Sequence, residues 1–332
     1  MSKKVIAIVF SDLHINLWAK FNKDNKRTLD HFRVLQYIAE TCTKNDCPAL
    51  FCGDMFHKPE NIDPDIALLM KDFMDKLYHD HPKFKCFAIE GNHDLKHINL
   101  LDVEDPERKG LTRGWVSLFE NNRLVVLSPK TPPAHIKRGI MVHGVPYIDH
   151  NIGLNKYLST LHLSVGMKHI LLLHTDYPGA KDCDGRVVDS VENLNINVLN
   201  RFDLVLCGHI HKPQRLSKKV YMVGAPLQQR RTDRDTELGY WEVFDDLSMN
   251  FVSLSDKFPR FVDVESEDEI KDDGNYYTVL PKKSSIKVNT NHKITKQLSK
   301  KSLAKKYLKE KGIKDKNRKE LLISILNKSE LC

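Results

Sequence analysis

Five short blocks of carboxylate, carboxamide and imidazole residues occur along this sequence in the order Asp12 and His14, Asp54, Asn92 with His93, His174, and His209 with His211. Mixed nitrogen and oxygen donors of this kind suit divalent cations such as Mn2+, and also Fe or Zn. Each block closes an apolar run of strand character. VIAIVF precedes Ser11-Asp12, ALFC precedes Gly53-Asp54, and FAI precedes Glu90-Gly91-Asn92-His93-Asp94; HILLL leads into His174 and DLVLC into Gly208-His209. One His after a strand reads as a hydrogen-bonded rim residue, and one Asp after a glycine as a turn or a helix cap. Five such blocks together, three of them directly preceded by glycine, read as a ligand set. Buried strands that all deliver carboxylate or imidazole at their C-terminal ends gather a polar cluster that is costly to desolvate unless cations sit inside it.

The elements that must position these residues alternate between strand and helix. Residues 27 to 43 place Leu29, Phe32, Leu35, Ile38, Ala39 and Cys42 on one helical face. A second helix starts at the cap Asp63 with Pro64 in its first turn, and carries Ile66, Leu69, Met70, Phe73, Met74 and Leu77. Strand patterns then recur near 123–127, 138–143, 168–173, 203–207, 219–223, 238–244 and 249–254, which is the order of an α/β sandwich.

At 332 residues and 41% apolar content the chain can fill one large core plus an appendage. No run approaches the roughly 18 apolar residues of a membrane span. The basic start Met1-Ser2-Lys3-Lys4 is followed by only six apolar residues and no small-residue cleavage site, so a core strand is expected there rather than a secretory signal. A cytoplasmic protein is expected. Seven cysteines, with Cys42, Cys47 and Cys52 spaced five apart and not two, read as reduced and structural. His143, His150 and His169 lie outside the blocks and read as core or surface histidines.

The sequence resembles a calcineurin-like metallophosphoesterase, on Asp12-Leu13-His14, Gly53-Asp54-Met55-Phe56-His57, Gly91-Asn92-His93-Asp94, His174 and Gly208-His209-Ile210-His211. Within that superfamily it is similar to the nuclease subunit of the SbcC/SbcD recombination complex and its phage relatives. His57, three residues after Asp54, carries this likeness, as do Lys212-Pro213-Gln214 and Gly224-Ala225-Pro226-Leu227; the Val-Asp-Arg-Gly continuation of the protein phosphatases is absent. The resemblance spans residues 4 to about 255. It implies an α/β metallophosphoesterase sandwich of two mixed β-sheets flanked by helices, here with a small C-terminal extension.

It also implies a ligand scheme: Asp12, His14, Asp54 and His211 on one cation, and Asp54, Asn92, His174 and His209 on the other. Asp54 then bridges the pair and Mn2+ is the favoured metal. A water between two such cations becomes hydroxide near neutral pH and can attack a phosphodiester. His93, without a metal in this scheme, is expected to stabilise the transition state and protonate the leaving oxygen, with Asp94 holding its ring nitrogen. His57 is the second catalytic candidate, orienting the substrate phosphate. The expected activity is a DNA exo- and endonuclease of recombination, repair or replication. The alternative is a stand-alone phosphomonoesterase or cyclic-nucleotide phosphodiesterase of the same fold.

Composition changes beyond the resemblance. Three segments are expected: residues 1–255 as the nuclease domain, 256–291 as a linker or reduced capping segment, and 292–332 as a basic tail. The tail holds thirteen Lys/Arg against four Asp/Glu, so its net +9 exceeds the +8 of the whole chain. It reads as two amphipathic helices around Gly312, with Leu298, Leu303, Tyr307 and Leu308 before it and Leu321, Leu322, Ile325 and Leu326 after it. A pair this short should dock on a partner, and the resemblance implies the coiled-coil base of an SMC-like ATPase. A solvated tail or a DNA-phosphate arm are the other readings. The resemblance also implies a homodimer through the 64–78 helix. The loop Gln228, Gln229, Arg230, Arg231 and Arg234 stays open between DNA-backbone contact and solvent.

Overall fold

A computed structural model describes residues 3–95, 114–137, 139–148, 152–188 and 194–280. The expected tail, 292–332, lies outside the described residues, as does His150.

Two six-stranded sheets lie face to face. The strands, in chain order, are β1 (Val5–Phe10), β2 (Ala49–Phe51), β3 (Cys86–Ala88), β4 (Leu124–Val126), β5 (Ala134–Lys137), β6 (Ile140–Val145), β7 (Lys168–His174), β8 (Leu204–Gly208), β9 (Gln214–Arg215), β10 (Val220–Met222), β11 (Gly239–Phe244) and β12 (Met249–Ser253). One sheet runs β12-β11-β1-β2-β3-β4 and the other β5-β6-β7-β8-β10-β9. The first sheet is parallel from β1 to β4 and antiparallel through β11 and β12, and the second is parallel at its centre and antiparallel at both edges, so both sheets are mixed.

Burial on both faces explains why these strands are near-continuous apolar runs rather than alternating ones. In β1 the side chains of Ala7 and Val9 enter the core between the sheets, whereas Ile8 and Phe10 pack beneath the helices on the outer face. The same period of two divides β7: Ile170 and Leu172 face the first sheet, Leu171 and Leu173 the opposite side.

Helix α1 (Lys26–Asn45) and helix α2 (Pro64–Asp80) cover the first sheet. The Asp63 carboxylate caps α2 by accepting from Asp65 N–H at 2.9 Å. Its apolar stripe divides: Ile66, Met70, Met74 and Leu77 are buried, while Leu68 is 61% and Leu69 36% exposed. Leu29 of α1, placed on the buried face by the 3.6-residue period, is 37% exposed.

Compact packing continues beyond residue 255 as far as Leu280. β13 (Phe261–Val264) and β14 (Tyr276–Val279) pair in parallel. Tyr276 and Phe261 lie against Phe21 and beneath the guanidinium of Arg27, and the Tyr276 hydroxyl donates to Asp30 at 2.8 Å. Among the described residues no helix is long and apolar enough to cross a membrane. The six cysteines among the described residues are free, and burial pushes the Cys86 and Cys207 thiols up to about 12.

Candidate metal centre

The parallel strands β1, β2 and β3 of one sheet and β7 and β8 of the other all end at the same edge, and each is followed by one of the five blocks. Beyond the strand ends the first two loops stay bonded. Asp12 N–H donates to Gly53 O at 2.9 Å and His14 N–H to Asp54 O at 3.0 Å. Asp12, His14, Asp54 and His209 all have positive φ, between 52° and 93°. Left-handed backbone at a residue with a Cβ is strained; here the strain falls on positions that must turn a side chain inward at once after a strand.

Two donor groups result. One ligand atom each of Asp12, His14 and His211 fall within 4.8 Å of one another, and so do those of Asp54, His174 and His209. Asp54 stands between them. Its Oδ2 is 3.3 Å from His174 Nε2 and 3.6 Å from His14 Nε2. Asn92 Oδ1 joins the second group, 3.0 Å from His174 Nε2 and 2.9 Å from His209 Nδ1. His14 Nε2 and His211 Nε2 meet at 3.1 Å. Asp12 and Asp54 are 0% and 1% exposed, and among the described residues neither has a Lys or Arg partner. Buried carboxylates and imidazoles converging with no Lys or Arg among them fit a pair of divalent cations.

Charge follows the same geometry. Burial would raise the Asp54 carboxyl, but His174 beside it holds it well below the usual carboxylate range. Burial disfavours a charged His174 ring, yet Asp54 outweighs it and lifts that pKa to about 9. Burial, with three further histidines nearby, keeps His14 far below its ordinary value.

Several residues that orient these donors were not legible in the motifs. His174 Nδ1 donates to Cys52 O at 2.7 Å, so Nε2 is the nitrogen presented to the site. Asp176 faces His209 Nε2 at 3.4 Å and Asp233 faces His211 Nδ1 at 3.6 Å. Gln229 donates to the carbonyls of Asp12 and Leu13, at 3.2 and 3.0 Å. Gln228 and Gln229 are therefore buried structural amides, and Arg231 and Arg234 pair with Asp263. Spacing held a hint only for Asp176, two residues after His174.

His93 lies beside Asp54, whose Oδ1 accepts the His93 backbone N–H at 2.8 Å. The expected Asp94 contact to the His93 ring is corrected by the structure. Asp94 turns away and accepts backbone N–H bonds from Asp54 (2.8 Å), Met55 (3.2 Å), Phe56 (2.9 Å) and Gly91 (2.9 Å), tying the second and third loops together. The carbonyl oxygen of His57 takes the ring instead, 2.7 Å from His93 Nδ1. The two rings stack with centroids 5.5 Å apart and 11° between planes. Burial, with His93 and Lys58 nearby, pushes His57 down to about 4. One nitrogen each of His14, His57 and His93 also falls within 4.8 Å of the others. His143 and His169 form a separate pair in the second sheet, 2.9 Å apart, away from these groups.

The glycines ahead of the ligands have a steric reason. A Cβ on Gly208 would strike Cys52 O and Ser11 Oγ and lie 2.8 Å from His174 Nδ1; one on Gly91 would strike the Asp54 carboxylate. Gly208→Ala is expected to break the Cys52–His174 contact and weaken metal binding by about 10- to 100-fold, the usual cost of losing such an orienting bond. Calorimetric titration with Mn2+ checks this, and affinity equal to the parent chain would contradict it.

The sequence pattern of the calcineurin-like phosphoesterase family matches residues 7–213, a stretch that begins in β1 and takes in all seven ligand candidates. A solved structure of a hypothetical protein from Thermus thermophilus aligns at 13% identity with a TM-score of 0.33, over 66% of this chain and 76% of that one.

Proposed function

Since this chain belongs to the calcineurin-like phosphoesterase family, and is by that membership a metal-dependent hydrolase of phosphoesters, we propose that its substrate is the phosphodiester backbone of DNA. The observation that carries this reading is the His57–His93 pair beside the shared carboxylate, because it places a residue of the nuclease-type motif in contact with the best candidate for proton transfer.

Bound cations would supply an activated water and neutralise charge on the phosphate; Mn2+ is the metal proposed. Asp12, His14, Asp54 and His211 would hold one, and Asp54, Asn92, His174 and His209 the other. The chain's own part in the proton traffic follows from one hydrogen bond. A carbonyl oxygen only accepts, so His93 Nδ1 carries a proton toward His57 O. Nε2 is then the nitrogen left to protonate the departing oxygen. The ring cannot rotate away without losing both that bond and its stack on His57.

Cleavage of linear and plasmid DNA beside p-nitrophenyl phosphate tests the substrate class. Mn2+-dependent DNA cleavage is expected; hydrolysis of the monoester with intact DNA would favour a phosphomonoesterase instead.

The proposal extends to partners: an SMC-like ATPase bound through 292–332, a homodimer, and work in the cytoplasm. Exposed Leu68 and Leu69 on α2 support a second copy docking there. Every proposed ligand precedes residue 212, so deleting 292–332 is expected to leave nuclease activity within about twofold while removing ATPase binding. Replacing Leu322, Ile325 and Leu326 with Asp should do the same, read by co-purification. Retained ATPase binding, with DNA binding lost on Lys305, Lys306 and Lys309 to Glu, would make the tail a DNA arm.

A further inference from the structure

We infer that a cavity beside His57 seats a single unpaired nucleobase, that of the nucleotide adjoining the scissile phosphate; the inference rests on the nuclease reading above. The cavity measures about 180 Å3 and lies between the loop after β1 and the loop that joins β2 to α2. That is below the roughly 300 Å3 at which sites for larger ligands begin. It slightly exceeds the roughly 150 Å3 void that takes up benzene in an engineered protein. One ring system fits, and two stacked bases do not.

Its lining matches a base. Phe56, Ile62 and Ile66 supply apolar surface, while Asn16 and Asn61 bring carboxamides whose side chains make no hydrogen bond among the described residues. Carboxamides are well suited to reading donor and acceptor pairs on base edges. His57 Nδ1 and Trp18 Nε1 are buried without a hydrogen-bond partner, on rings whose centroids are 4.9 Å apart. Of the two, His57 lines the cavity, and an orphaned polar atom there costs stability unless something meets it. Lys58, exposed and without an ion pair among the described residues, also lines the cavity, where a phosphate following the base would pass.

Position ties the cavity to the reaction. The His57 ring that borders it is the ring stacked on His93. A group seated there is therefore one residue away from the proton-transfer candidate. A base inside a cavity between two loops is out of its own helix stack, so the occupied state needs an unpaired or extruded nucleotide. The substrate class named by this geometry is single-stranded or frayed DNA.

The test uses the full chain. With Mn2+ bound, it is given single-stranded oligonucleotides in which one nucleotide at a time is replaced by an abasic tetrahydrofuran residue. Cleavage at the bond next to the gap should fall about 5- to 100-fold, the range that one stacked base contributes, and more distant bonds should keep their rates. In a second measurement, 2-aminopurine deoxynucleoside monophosphate is titrated against the chelator-treated chain. Its fluorescence should be quenched on binding, and Asn61→Trp, an exposed position whose larger side chain fills the cavity, should raise Kd at least tenfold. DNA cleavage with a flat abasic profile and nucleotide binding indifferent to Asn61→Trp would overturn the base seat while leaving the nuclease reading intact. A chain that cleaves no DNA but binds the nucleotide in an Asn61-dependent way would keep the seat and overturn the nuclease reading.

Discussion

Asp54→Ala is expected to leave the chain without either cation and to reduce phosphoester hydrolysis to background. Its carboxylate stands between both donor groups, with Oδ2 3.3 Å from His174 and 3.6 Å from His14. Loss of that oxygen would remove a ligand from each cation at once. The variant should still fold, because a buried carboxylate is itself expensive to desolvate and its removal offsets the lost contacts. Thermal unfolding separates the two effects. Metal bound at 100 times its Kd adds about 2.7 kcal/mol to stability. The Mn2+-dependent rise in melting temperature should be present in the parent chain and absent from the variant. Elemental analysis that still finds two ions per Asp54→Ala chain would end the bridging assignment.

His93→Ala should separate chemistry from metal binding. A positioned general acid contributes about 10^2- to 10^4-fold, so kcat should fall by that factor while metal stoichiometry stays at the parent value. The distinction matters because His93 also lies in a triad with His14 and His57. If His93 were a ligand of a cation in that triad, the substitution would lower metal content in step with activity. Partial recovery of rate by added imidazole would support the proton-transfer role, which a lost ligand would not reproduce.

Much of this centre could be read from strand-end blocks, for a physical reason. A strand buried on both faces is written in apolar residues, so the first polar residues after it announce where the sheet edge meets the site. Asp12, Asp54, Asn92, His174 and His209 all fall there. Asp94 did not follow from its sequence position, because adjacency to His93 says nothing of direction. Its carboxylate satisfies three backbone amides of the neighbouring loop and that of Gly91 in its own. Gln229 and Asp233 were equally hidden: they sit in a loop of charged residues that reads as solvent-facing, and only the fold turns it under Asp12 and His211. Strand pairing was similarly obscured in ESEDEIKDDG and its flanks. Acidic residues dominate that stretch, whereas Phe261 and Tyr276, the residues that dock β13 and β14, are only two.

The division of donors between the sheets has a mechanical consequence. Asp12, His14, Asp54 and Asn92 follow strands of one sheet; His174, His209 and His211 follow strands of the other. Each of the two donor groups draws on both. Cations held there would therefore pin together two slabs that otherwise meet through an apolar layer. Slippage between the slabs would be reported first as weakened metal affinity, long before any strand came apart. Conversely, a cavity-forming substitution deep in the inter-sheet layer, such as Leu172→Ala, is expected to lower metal affinity from a distance, which calorimetric titration with Mn2+ checks.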